Sequence, residues 1–329
     1  MNEKVCVVRT NLWIDPVFDQ LITGDDRIEL KILDINATPQ QWYETLKHAH
    51  YYHVSAAKDE LPPGLFVSQT LLAQCPKLKA VSSSGAGYDT IDVAACEARN
   101  ITVVNQAGGN ANSVAEMALG LLLAVSRRIV ESDRTLIAQK ASSREALMGH
   151  EVAGKILGLV GLGHIGSRFA QIAAGLGMKV LAYDPYLSSQ DISLRKASPV
   201  SLQALLAQSD IVSLHCPLDN DTRDMFNADT FGAMKPGAIF ISTARGGIHN
   251  EEDLYAALRS SHLAGAGLDV WRQEPPCPDN PLLGHPCVVS TFHTAGVSHE
   301  GRHNVARMAA EQILLMIDGK RPPHVVHSR

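Results

Sequence analysis

Short apolar runs alternate, almost from end to end, with segments whose apolar residues recur every three or four positions. In the first hundred residues, positions 5–8, 28–33, 79–82 and 101–104 read as strands, and 16–21, 39–48 and 68–75 as helices between them. Later strands are predicted at 156–160, 178–183, 211–214, 238–242, 267–270 and 288–290, with helices at 201–207 and 252–259. Such alternation predicts α/β layers built on parallel sheets. Ser113 and Glu116 have the spacing of a capping box, which predicts a helix start. The continuation of that helix, 117–125, is apolar nearly all round and wants burial on every side, in its own domain or against a second subunit. A last helix is expected over about 302–317, with periodicity leaving open which domain it covers, and the tail 322–329 is expected to be loose.

Between residues 155 and 184 the order is strand, glycine-rich turn, helix, strand, acid. Gly161 allows the tight turn, Gly163 lets the backbone approach a pyrophosphate, and Gly166 lets the helix pack closely on the strand. The first N–H groups of the helix, at His164 and Ile165, face the anion. Asp184, ending the second strand, can accept both ribose hydroxyls and would repel a 2′-phosphate, so the expected cofactor is NAD rather than NADP. A glycine-rich turn alone can serve packing; here the flanking strand, helix and acid are all in place. This is a Rossmann fingerprint, and the strands that follow it fit one doubly wound sheet over residues 106–296.

Composition narrows the class. At 329 residues the chain suits two domains, and 45% apolar with 19% charged residues describes an ordinary globular protein. A net charge of −5 gives no basic footprint for nucleic acid. Six cysteines lie scattered without metal-ligand spacing, so neither a disulfide framework nor a metal site is expected, and the reading is of reduced thiols in the cytoplasm. The N-terminus enters a strand pattern without the apolar core of a signal peptide, and the longest apolar run has nine residues, too few to span a bilayer.

In a doubly wound sheet the ligand sits beyond the carboxyl ends of the strands, so the polar residues that follow each strand are the candidates for chemistry. Arg245 supplies a fixed charge with a fork suited to a carboxylate. His293 can deliver and recover a proton near neutral pH. Glu274 beside it would orient the ring and favour its protonated form. Together the three suit reduction of a ketone that carries a carboxylate. In the first hundred residues Gly85, Ala86 and Gly87 follow a strand, where backbone amides can capture an anion.

These stretches resemble the D-isomer-specific 2-hydroxyacid dehydrogenases. The likeness is carried by 84–92, by Asn110 with 113–116, by 158–166, 215–217, 234–237 and 244–246, and by 268–270, 274–275 and 293–296. The resemblance implies an NAD-dependent oxidoreductase acting at C2 of a small 2-hydroxy or 2-keto acid, with Arg245, Glu274 and His293 as the catalytic set. It implies that Gly85, Ala86, Gly87 and Arg245 bind substrate. It also implies cofactor contacts from Asp269, near the nicotinamide, and from His215, Pro217, Thr243, Ala244 and Gly296. The implied architecture is a Rossmann NAD domain over 106–296 with a second, split, flavodoxin-like substrate domain over 1–105 and 297–329. Family members are usually homodimers through the cofactor domain.

The chain departs from the pattern at Phe292, where proline is usual, and at 141–148, where the common tryptophan is missing. The stretch 53–58 has no arginine of the kind that binds phosphate in phosphoglycerate dehydrogenases, so a small unphosphorylated acid is expected. The end at residue 329 is read as leaving no room for an added regulatory domain. Phosphoglycerate dehydrogenase and glyoxylate/hydroxypyruvate reductase stay open as near alternatives, and an NAD-sensing corepressor-like binding protein as one of a different class.

Overall fold

Strands whose residues are buried in succession can satisfy both faces only inside a layered sheet, and two such sheets form here. The computed structural model describes residues 3–140 and 143–328; Ala141 and Ser142, in the segment lacking the family's tryptophan, lie outside them. The chain divides into two compact units, one of residues up to 110 with those from 297 onward, the other of residues 111–296.

The first unit contains β1 (Val5–Thr10), β2 (Ile28–Leu33), β3 (Tyr51–Val54), β4 (Ala80–Ser83) and β5 (Thr102–Val104). They lie parallel in the order β2-β1-β3-β4-β5, the flavodoxin-like order. Successive residues feed opposite cores. Val8, Tyr52 and Val81 pack with Trp42, Leu46, Leu71 and Leu72, while Val7, Tyr51 and Ala80 pack with Phe18, Ile22, Ala306 and Ile313. The second group decides where the last helix, His299–Ile317, goes: it covers the first unit's sheet. The described part of the tail, up to residue 328, is not loose. Val325–Val326 pairs antiparallel with β5, and Gln312 supports it by accepting from the His324 N–H at 3.1 Å.

The second unit contains β6 (Ile156–Val160), β7 (Lys179–Tyr183), β8 (Ser198–Pro199), β9 (Ile211–Leu214), β10 (Ala238–Ser242), β11 (Leu263–Leu268) and β12 (Val288–Ser290). All are parallel, in the Rossmann order β8-β7-β6-β9-β10-β11-β12. The order reverses between β6 and β9, so the ligand crevice of this unit is expected beyond Val160 and Leu214.

Two local expectations are corrected. The helix expected to start at Ser113 runs over Ala111–Ser126, so Ser113 stands inside it rather than capping it. Its apolar residues are largely used within the unit: Ala115, Ala118, Leu121 and Leu122 join the core with Leu157 and Phe169. The strand expected at 267–270 is β11, which begins at Leu263. Its sequence, Ala264, Gly265, Ala266, Gly267, reads poorly as a strand because the helix Ala111–Ser126 presses on it. A β-carbon on Gly265 would lie 2.6 Å from Val125 Cγ1, and one on Gly267 2.8 Å from Leu121 Cβ.

Candidate active site

The turn after β6 follows from steric necessity. Gly161 sits at φ +91°, and a β-carbon there would lie 2.8 Å from the His215 carbonyl group. A β-carbon on Gly166 would fall 2.3 Å from Gly161 O, so the helix His164–Gly175 can approach the turn only with glycine here. The N-cap of that helix, Gly163, brings no side-chain acceptor, and nothing lies within 4 Å of where its β-carbon would point. The result is a cradle at a helix N-terminus with open space before it, which suits a pyrophosphate. A cavity of about 380 Å³ adjoins it, lined by Gly163, His164, Ser167, Arg168 and Arg195 among others. Ile165 lies in the same first turn.

Asp184 follows β7, and both its oxygens already organise backbone: Oδ2 accepts from the Leu162 N–H at 2.9 Å, and Oδ1 from Tyr186 N–H at 3.0 Å. The acid that would receive a ribose is thereby fixed against the glycine turn. The His215 N–H donates to Val160 O at 2.8 Å, across the switch point. The His215 ring is buried against Phe169, with Nε2 2.9 Å from Ser213 Oγ and Nδ1 without a partner. Burial pushes its pKa down to about 3, so the ring is neutral. Pro217 contributes a carbonyl that accepts from Thr222 Oγ1 at 2.7 Å. Thr243 and Ala244, directly after β10, are buried, and Thr243 Oγ1 has no partner.

Beyond β10, β11 and β12 the second unit gathers the three reactive groups. His293 Nδ1 lies 2.7 Å from Glu274 Oε2, and Glu274 Oε1 accepts from the Trp271 N–H at 3.0 Å. Burial works to raise the Glu274 pKa, but the hydrogen bond and charge of His293, the Trp271 N–H and the Arg245 charge together hold it below the usual value. The Glu274 hydrogen bond raises the His293 pKa; burial and the Arg245 charge oppose it, and the charges of Glu274 and Asp269 add to it. Arg245 places Nη1 2.7 Å from the Ala244 carbonyl, and its charge is felt by both members of the pair. Gly246 is obligatory beside it, since a β-carbon would lie 1.9 Å from Trp271 C and O.

His293 adopts φ +47°, a left-handed conformation that costs a non-glycine residue free energy. Asp269 holds it there. The Asp269 carbonyl accepts from the His293 N–H at 2.8 Å. Its fully buried carboxylate accepts from Thr291 Oγ1 at 2.6 Å, Thr294 N–H at 2.8 Å and Ala295 N–H at 2.9 Å. Asp269, read from sequence as a cofactor neighbour, is thus the anchor of the histidine loop, which ends at Gly296. Sequence reasoning missed this role and that of Trp271, because both act through backbone groups; a buried acid directly after a strand was the one available signal.

Gly85, Ala86 and Gly87 belong to the first unit, after β4. Their carbonyls are occupied by Gln106 N–H, Asn105 Nδ2 and Ser83 Oγ respectively. The side of this loop left to offer a ligand is therefore its N–H groups.

Comparison with known proteins bears on this arrangement. Residues 119–295 match the sequence model of the D-isomer specific 2-hydroxyacid dehydrogenase, NAD binding domain. The chain belongs to the D-isomer-specific 2-hydroxyacid dehydrogenase family. It is 36% identical over 303 residues to a glyoxylate reductase of Korarchaeum cryptofilum, covering 85% of this chain and 91% of that one. It is 39% identical over 253 residues to a D-3-phosphoglycerate dehydrogenase of Archaeoglobus fulgidus, covering 77% of this chain but 48% of the relative. The chain thus spans about half the length of the phosphoglycerate dehydrogenases it matches. Among solved structures, D-lactate dehydrogenase of Aquifex aeolicus, in complex with NAD and lactic acid, superimposes with a TM-score of 0.84 at 26% identity, covering 98% of this chain and 99% of that one. The glycine cradle and the fixed Asp184 fit the NAD that this dehydrogenase family binds.

Proposed function

We propose that this dehydrogenase interconverts a small D-2-hydroxy acid and its 2-keto acid with NAD, and that the Glu274–His293 pair is its acid/base device. The observation that carries the proposal is the 2.7 Å contact between His293 Nδ1 and a Glu274 carboxylate already fixed by the Trp271 N–H. With Nδ1 engaged by Glu274, Nε2 is the ring nitrogen left to face a substrate. In the reducing direction Arg245 holds the substrate carboxylate with its fork and polarises the 2-keto oxygen. Bound NADH supplies the hydride to C2. His293 gives its Nε2 proton to the developing alkoxide and regains one from solvent, while Glu274 stabilises the imidazolium beforehand. In the oxidising direction neutral His293 takes the hydroxyl proton. The N–H groups of Gly85, Ala86 and Gly87 are proposed as a second hold on the carboxylate.

Asp184 supports a preference for NAD over NADP, because a buttressed carboxylate repels a 2′-phosphate. The lack of arginine at 53–58 supports an unphosphorylated substrate. The relatives act on different acids, so the substrate side chain is a question for experiment. We also propose a homodimer through the NAD-binding unit, supported by Leu136 and Ile137, 79% and 73% exposed on the helix Ile129–Ile137. Six free cysteines fit a cytoplasmic location.

The test is NADH oxidation at pH 7 against glyoxylate, hydroxypyruvate, pyruvate, 2-ketobutyrate, 2-ketoisocaproate and 3-phosphohydroxypyruvate, with NADPH in parallel. Turnover of an unphosphorylated acid with NADH supports the reading. Turnover of the phosphorylated acid alone would favour the phosphoglycerate alternative. Tight NADH binding with no turnover on any would favour a binding protein.

A further inference from the structure

Two neighbouring peptide N–H groups, those of Trp271 and Arg272, are each taken by a carboxylate. The Trp271 N–H donates to Glu274 Oε1 at 3.0 Å, and the Arg272 N–H to Glu251 Oε1 at 2.6 Å. The other Glu251 oxygen accepts from Asn280 Nδ2 at 2.7 Å. Glu251 is the first residue of the helix Glu251–Arg259, which directly follows the loop that carries Arg245. One side chain therefore ties the end of the Arg245 loop to both ends of the 272–280 segment, in which Glu274 stands. Gly246 closes the same junction from the other side, with Trp271 C and O where its β-carbon would be.

We propose that Glu251 is a positioning residue: it holds the Trp271–Arg272 peptide, and through it the Trp271 N–H that aims Glu274 at His293. Hydrogen bonds to a carboxylate are about twice as strong as neutral ones. Removing Glu251 leaves the Arg272 N–H and the Asn280 amide without their acceptor and frees the peptide next to the one that Glu274 grips. Misplacing a catalytic group by about 1 Å costs on the order of 10²-fold in rate. The inference rests on the proposed function for its effect on rate, and on geometry alone for its effect on the pair.

The charged groups that act on His293 are Glu274, Arg245 and Asp269. Substitution at residue 251 removes none of them, so a changed titration of His293 reports displacement of the pair. The experiment is an NMR titration of the His293 ring in the whole protein, with wild type, Glu251→Ala, Glu251→Gln and Asn280→Ala compared. Glu251→Ala is expected to bring the His293 pKa down toward its ordinary value by roughly half a unit or more, as loss of a well-aimed carboxylate partner does. Glu251→Gln keeps an oxygen for the Arg272 N–H and is expected to restore most of the wild-type titration. Alongside, kcat in Glu251→Ala should fall by on the order of 10²-fold with the KM for NADH unchanged. An unshifted His293 titration in Glu251→Ala, whatever happens to its melting temperature, would overturn the inference and leave the functional reading standing. A shifted titration in a protein that reduces no 2-keto acid would do the reverse. If Glu251→Ala does not fold, Asn280→Ala takes its place: it frees one Glu251 oxygen, and a smaller shift in the same direction is required.

Discussion

The backbone N–H of His293 donates to the carbonyl oxygen of Asp269 at 2.8 Å, and this bond holds a histidine at φ +47°. The Asp269 carboxylate continues the hold through Thr291, Thr294 and Ala295. Asp269→Asn keeps the shape but turns one acceptor into an amide facing an N–H. The expected cost is about 2–3 kcal/mol of stability, typical of a buried hydrogen bond to a charged group lost with a donor left unpaired. Chemical denaturation checks it. Turnover should fall as well, because the loop that sets the ring is released; unchanged stability would show that the buried carboxylate is not the anchor.

The elevated His293 pKa sets the pH dependence. A histidine whose pKa is raised by a carboxylate stays protonated above pH 6.5, so reduction should persist beyond that pH and decline as pH passes the raised value. Oxidation needs the neutral ring and should rise over the same interval. In Glu274→Gln the hydrogen bond loses its charge, and the alkaline limb of the kcat/KM profile for reduction is expected to move to lower pH. A limb that stays in place would remove Glu274 from the pair.

Three histidines predict acid lability. His53 and His249 are buried and His215 is half-buried with its Nδ1 shielded, and desolvation pushes their pKa values down to about 3, 4 and 3 respectively. A histidine kept neutral in the fold contributes stability that is fully present above about pH 6.5 and is lost as pH falls toward the folded value. Urea midpoints should therefore drop between pH 7 and pH 5. His249 has neither ring nitrogen hydrogen-bonded, so His249→Leu removes a titrating group without removing a bond and should flatten the decline. A midpoint independent of pH over that range would refute this.

The glycine turn makes a narrower prediction. Gly166→Ala puts a methyl group 2.3 Å from Gly161 O, so the helix must retreat from the turn. NADH affinity, followed by fluorescence titration, is expected to fall at least tenfold while the first unit's fold is untouched. Full affinity would mean that the helix need not approach so closely.

Much of this was legible in the sequence, and the exceptions have physical causes. The fingerprint at 161–166 and the acid at 184 could be read because Gly161 and Gly166 answer local steric demands and Gly163 leaves open space before the helix. That Arg245, Glu274 and His293 stand beyond the strand ends of one unit could be read because a doubly wound sheet puts its polar loop residues there. β3 was missed because Tyr51–Val54 stands among His48, His50 and His53, and the burial of His53 against Phe18 and Ser82 depends on tertiary partners. β11 was misplaced because its glycines answer to Leu121 and Val125, residues far away in the chain. The pairing of Val325–Val326 with β5, and the grip of Asp269 and Glu251 on backbone N–H groups, depend on tertiary partners that no local pattern announces.

The mechanism turns on proton transfer by His293. It is tested most directly by His293→Ala, assayed for NADH-dependent reduction of the best 2-keto acid while NADH binding is measured by fluorescence. A loss of about 10²-fold or more in kcat with NADH affinity nearly intact is expected. Undiminished turnover in that variant would contradict it.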